Sequence, residues 1–284
     1  AALLAGLVGL GLRLFSGREL ADYGSYIPWG LWIAVYALLV GVALGSFLLF
    51  AAGQVFRIER LLTAGRPALL ISLAGIVSGL IVVGLDLGRV YRIWRVYAFP
   101  NPSSLMAWEI WLFTAFIVIL LICLRLAFRA DLAARAERPG AEGTVARVLL
   151  LGRRRGDTAS EASWLRALAL VGGAVAVIVL GANGALFGVA GARPFWHSGL
   201  IPLLFLSAGL LAGAAAITVY TALAGPRDAD WADQVRWLAG LTAVLLAVDL
   251  LIEWADVSVA FYSQPASWEA YKLVLTGSYW WVFW

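Results

Sequence analysis

The chain of 284 residues is 63% hydrophobic and only 13% charged, which excludes an ordinary soluble domain and points to a protein that lives in a bilayer. Its formal charge of +4 is spread over loops rather than gathered on one face, so it implies no nucleic-acid partner. A single cysteine, Cys123, and a single histidine, His197, exclude an intrachain disulfide, a cysteine-ligated iron–sulfur cluster and the paired axial histidines of a membrane cytochrome b.

In chain order, residues 1–15 are apolar but short of the roughly 20 residues of a membrane span, and the polar connection 16–26 carries Arg18, Glu19 and Asp22. Pro28 opens a second helix, at a position proline tolerates, and this helix runs uncharged to about Gln54. Trp29, Trp32 and Tyr36 share a face of it at i, i+3 and i+7, and Gly41-x-x-x-Gly45 offers a surface for close helix contact. A third helix covers 67–88, with Gly75-x-x-x-Gly79 as its packing face and Asp86-Leu-Gly-Arg89 at its end. Arg92 and Arg95 follow, and Pro100 and Pro102 stop any helix, since each lacks an N–H and restricts the residue before it.

Ser103 or Ser104 caps the fourth helix, 104–128, which Glu109 enters among Trp108, Trp111 and Phe113. The hydrophilic segment 129–163 reads as a loop with an interfacial helix near 145–151. The fifth helix, 164–190, carries Asn183 near its far end, and a tight connection holds Arg193 and His197. The sixth, 199–222, has Pro202 in its first turn and Gly209-x-x-x-Gly213. The seventh, 233–254, places Asp249 and Glu253 one turn apart, before a connection over 255–269 that holds Asp256. Segment 270–284 is apolar again. In lipid the backbone must satisfy its own hydrogen bonds, so these spans are helices. The fold class is therefore all-α: a polytopic transmembrane protein of about eight helices.

The connections after the second, fourth and sixth helices, with adjoining helix ends, hold fourteen basic residues against seven on the other side. The positive-inside rule then makes segment 129–163 cytoplasmic and turns 86–103, 193–197 and 255–269 outward. Asp86, Glu109, Asp249 and Glu253, with Asn183 and His197, all fall at the outward end. Ionisable groups within a membrane are costly and mark function by default, whereas the arginines and tryptophans of the boundary also serve as anchors.

Three stretches give the chain its resemblance to a known family: Pro28-Trp-Gly-Leu-Trp with Gly41-x-x-x-Gly45; Asp86-Leu-Gly-Arg89 with Pro100-Asn-Pro-Ser-Ser-Leu-Met-Ala-Trp108; and Arg193-Pro-Phe-Trp-His-Ser-Gly-Leu-Ile-Pro202 with Leu204-Phe205. Together they resemble the NrfD/PsrC integral membrane subunits of polysulfide reductase, certain hydrogenases and alternative complex III. The resemblance implies two four-helix bundles side by side, divided here as 1–27 (N-terminal helix and outward loop), 28–190 (first bundle) and 191–284 (second bundle, incomplete at Trp284). It implies a multi-pass protein of the bacterial inner membrane that exchanges electrons between a quinone and a partner iron–sulfur subunit, alongside a catalytic or cytochrome subunit. Glu109 departs from the pattern, standing where many relatives have glycine after the tryptophan.

A quinol, of the menaquinone or ubiquinone type, needs an apolar slot, donors to its oxygens and carboxylates for its protons. Trp29, Trp32 and Tyr36 are expected to line the slot, Arg89, Asn183 and His197 to bond the oxygens, and Asp86, Glu109, Asp249 and Glu253 to relay protons outward. The other readings are a transporter, whose broken mid-membrane helices have no counterpart in this sequence, and a passive anchor without its own substrate. Segment 270–284 is short for a hydrocarbon core of about 30 Å at roughly 1.5 Å per residue, so the native chain is expected to continue.

Overall fold

The structure is a computed structural model. It describes residues 29–87, 90–150, 158–191, 193–263, 265–278 and 280–283, with six single positions between 4 and 12. Among the described residues there are helices and no strand, and six of the helices are long: α1 (Leu31–Phe56), α2 (Gly65–Asp86), α3 (Leu105–Ala127), α4 (Thr158–Gly188), α5 (Ile201–Ala224) and α6 (Trp231–Ser263). Each contains a stretch long and apolar enough to cross a membrane. They correspond to the second through seventh segments expected from the sequence. The first expected segment falls mostly outside the described residues. The last is broken into short helices, Pro265–Leu275 and Trp280–Phe283. The expected count of about eight is therefore six long helices among the described residues.

The centre of the molecule is α1. It packs against α2, α4 and α5, while α3 closes against α2 and α4, and α6 lies along α5. Leu44 and Phe47 on α1 are fully buried, and the Phe47 ring meets Phe116 of α3 edge-on at 5.0 Å. The glycine motifs on α1 and α5 meet each other. A Cβ on Gly45 would run into the Gly209 carbonyl oxygen, and one on Gly213 would run into the Gly45 carbonyl carbon. Between helices in lipid, where apolar burial gives little drive, such backbone contact supplies the packing.

Two elements differ from the sequence expectation. First, α6 runs on to Ser263, whereas the sequence places the end of the seventh helix at 254 and a connection from 255. No proline or glycine intervenes before Pro265, and Asp256, whose charge suggests a loop, is buried and hydrogen-bonded. Second, the hydrophilic segment contains helices Arg129–Ala136 and Ala141–Leu149. They fold back on each other around Ala136, Ala146 and Leu150, turning at Gly140, whose φ of 99° favours glycine. Arg125, in the last turn of α3, donates to the carbonyls of Leu149 at 3.2 Å and Leu150 at 2.7 Å. Ion pairs Arg66–Asp131 and Arg129–Glu161 tie the hairpin to α2 and α4.

The alternation of helices brings the start of α1, the end of α2, the start of α3, the end of α4, the start of α5 and the second half of α6 to one end of the molecule. At this end Ser104 caps α3, its hydroxyl accepting from the Ala107 amide at 3.3 Å.

Candidate functional site

Four aromatic rings from three helices and a loop form a wall at that end. Trp29, just before α1, stacks on Trp196 of the α4–α5 connection at 5.5 Å and meets Phe187, in the last turn of α4, edge-on at 4.9 Å. Phe187 also contacts Trp196 at 5.5 Å and Phe205 of α5 at 5.2 Å. Aromatic pairs in these geometries add to their burial. Two clefts share this wall, and Trp29, Ile33 and Phe187 line both.

The first cleft, of about 390 Å³, lies among α1, α2, α3 and α4. Tyr36, Asp86, Glu109, Phe113 and Asn183 line it with the shared wall. Glu109 is 5% exposed, and its Oε1 accepts a hydrogen bond from the Tyr36 hydroxyl at 3.3 Å. The sequence arranges this simply: Trp29, Ile33 and Tyr36 recur at i, i+4 and i+7 on α1, and the Ser104 cap fixes where α3 begins and so where Glu109 points. Asn183 is buried and donates to the Val179 carbonyl at 3.2 Å. Asp86, also buried, closes the end of α2. Near the mouth the Tyr97 and Thr114 hydroxyls are 2.5 Å apart. The result is an apolar slot with a carboxyl, a phenol and an amide facing one space.

The second cleft, of about 540 Å³, lies among α1, α4, α5, α6 and the helix Pro265–Leu275. Asp249 and Glu253 enter it from α6 and Tyr271 from the short helix. The Ser207 hydroxyl donates to Asp249 Oδ1 at 2.5 Å. Behind it, Asp256, 3% exposed, accepts from the hydroxyls of Ser198 and Tyr271. Burial, and then this bond to Asp256, push the Tyr271 phenol above its ordinary range.

The residues singled out in the sequence thus divide. Trp29, Tyr36, Asp86, Glu109 and Asn183 come together in the first cleft, and Asp249 and Glu253 in the second. Trp32, half-buried, is on neither lining; Ile33 occupies the place on α1 expected for it. His197 is exposed, its Nδ1 2.9 Å from the Gly188 carbonyl, and it lines a small recess with Asp256 instead. Arg89 lies outside the described residues. The sequence alone does not pick out Asp256, Ser198, Ser207 or Tyr271. One signal is present in it: Asp249, Glu253 and Asp256 recur at i, i+4 and i+7, a single stripe of a helix. Among the described residues, no group of three or more His, Cys, Asp and Glu side chains gathers as a metal cluster would.

A family model described as "Polysulphide reductase, NrfD" matches residues 20–284. The third subunit of the selenate reductase of Mesobacillus selenatarsenatis is 29% identical, the match covering 99% of this chain and 68% of the relative. A dimethyl sulfoxide reductase membrane subunit of Halobacterium salinarum is 28% identical over 86% of this chain and 55% of the relative. The Hdr-like menaquinol oxidoreductase integral membrane subunit of Archaeoglobus fulgidus is 23% identical over 74% and 47%. The chain spans about half to two thirds of the length of these relatives.

Proposed function

Because the chain belongs to the NrfD family, we propose that it is the quinone-interacting membrane subunit of a respiratory redox complex. In this reading it takes electrons from, or returns them to, a menaquinone- or ubiquinone-type quinone and exchanges them with an iron–sulfur subunit at the outer face. The complex is completed by a catalytic or cytochrome subunit, in a bacterial cytoplasmic membrane with segment 129–163 inside. The first four long helices act as one unit and α5 begins a second. The outward turn 86–103 and the connection 190–198 are the docking surface for the partner.

The observation that carries this reading is the Tyr36–Glu109 pair inside the first cleft. Oxidation of a quinol releases two electrons and two protons. The cleft offers Trp29, Ile33 and Phe113 against the ring, and Asn183 at the depth of a ring oxygen. Glu109 is the group placed to accept a proton from a quinol hydroxyl, with the Tyr36 phenol orienting its carboxylate. Asp86, at the outer end of α2, is the next carboxyl along the cleft, and from it a proton reaches the outward surface. The electrons pass to the partner, since one cysteine and one histidine give this chain no cluster or haem of its own. The Archaeoglobus relative is named as a menaquinol oxidoreductase subunit, which agrees with this substrate class.

The test is to purify the complex, extract it with organic solvent and measure quinone per subunit, then assay quinol-driven reduction of the partner's iron–sulfur centre. A subunit that serves only as an anchor carries no quinone and passes no electrons. A transporter moves its solute with no change in the redox state of quinone.

A further inference from the structure

We propose that the cavity on the far side of the Trp29–Phe187 wall is a second seat for a hydroxylated amphiphile of the quinol class, separate from the Glu109 cleft. The inference rests on the quinol reading above for the ligand class, but on different residues for the site. The larger cavity, about 540 Å³, is walled by rings and aliphatic side chains except along one edge, where Asp249 and Glu253 stand one turn apart on α6. That edge decides what the cavity takes. Its two side chains are carboxyls, and Asp249 is already held from behind by Ser207.

A bare acyl chain would leave both carboxyls facing hydrocarbon, which is costly. A phospholipid head would bring a phosphate against two groups of its own sign. An uncharged ring with two hydroxyls satisfies the edge, because each hydroxyl donates where a carboxylate accepts. Entry is from the side. Leu38, which lines the cavity, is 59% exposed on the flank of α1 that faces lipid, so an isoprenoid tail can trail into the bilayer while the head reaches α6. The two seats are then separated by a wall one side chain thick.

The test is a titration of the purified complex in lipid nanodiscs with a fluorescent hydroxyquinoline N-oxide, a quinol analogue whose emission is quenched on binding. Two equivalents per chain are expected. Ala208→Phe, or Ala212→Phe if the first variant fails to fold, fills the larger cavity and should reduce this to one. Val83→Phe fills the Glu109 cleft and should remove the other. Joint Asp249→Asn and Glu253→Gln substitution should weaken the second equivalent by about tenfold, the loss of roughly one charge-assisted hydrogen bond, and leave the first unchanged. A single equivalent lost only in Val83→Phe would overturn the proposal and leave the Glu109 cleft in place as the quinol site. A single equivalent lost only in the Ala208 or Ala212 variants would sustain it and remove the Glu109 assignment. Binding of none would overturn both.

Discussion

Tyr36 Oη lies 3.3 Å from Glu109 Oε1, joining the outer part of α1 to the second turn of α3. A buried carboxylate in a membrane needs such a donor, and this one is also aimed into the cleft. Glu109→Gln keeps the shape and removes the proton acceptor. It should lower quinol-dependent electron transfer by about 10²-fold or more, as loss of a general base does, with the subunit still assembled. Tyr36→Phe removes only the orienting donor and should cost about tenfold. Steady-state turnover with quinol saturating distinguishes them; normal rates in Glu109→Gln would end its role as acceptor.

The α1–α5 seam gives a stability prediction. Gly45→Ala and Gly213→Ala each force a methyl into the opposite backbone and should destabilise the chain by about 1–3 kcal/mol, the usual range for overpacking. A Cβ at Gly181 would meet nothing within 4 Å, so Gly181→Ala should leave the melting temperature in detergent where it was or raise it slightly. Equal behaviour of the three variants would count against backbone contact at the seam.

Asp256 predicts a different response. Asp256→Ala strands the Ser198 and Tyr271 hydroxyls and should cost about 1–3 kcal/mol, read as a lower melting temperature. Tyr271 adds a pH signature. Its phenol is held above the ordinary value of about 10, so the folded state keeps a proton that the unfolded chain loses. The stability from this source is complete below that ordinary value and disappears as the pH climbs through the higher folded one. Tyr271→Phe should therefore flatten the alkaline fall in melting temperature.

Sidedness can be read with single cysteines, because Cys123 is fully buried and should not react. Glu142→Cys, on the exposed hairpin after α3, should label with a membrane-impermeant maleimide only in inverted vesicles. Asn101→Cys, between Pro100 and Pro102, should label only in right-side-out ones. The opposite pattern would place the hairpin outside.

Much of this arrangement is legible in the sequence because the bilayer enforces it. Long uncharged runs between polar turns have to be helices, and the glycine pairs at four-residue spacing on α1 and α5 have to meet something closely; they meet each other. What escapes has a physical cause too. Asp256 reads as part of a loop because a charge normally marks water, and the two hydroxyls that accept it into the interior come from distant stretches, at Ser198 and Tyr271. Trp32 groups with Trp29 and Tyr36 because i, i+3 and i, i+4 neighbours both sit near one face; packing against α4 settles the choice for Ile33. The acids gather at one end, as expected, but nothing in their spacing shows that an aromatic wall contributed by α1, α4 and a connecting loop parts them into two groups.

The contact between Gly45 and Gly213 has a consequence for how such a protein varies. With no side chain between them, α1 and α5 have nothing to yield, so the two helices shift as one body. Both clefts take a wall from α1, and a small step at the seam would change the width of each. Substitution at these glycines should therefore appear, in a screen for respiratory growth, as loss of substrate binding with every cleft residue intact. The glycines are as much determinants of what the clefts admit as the side chains that line them.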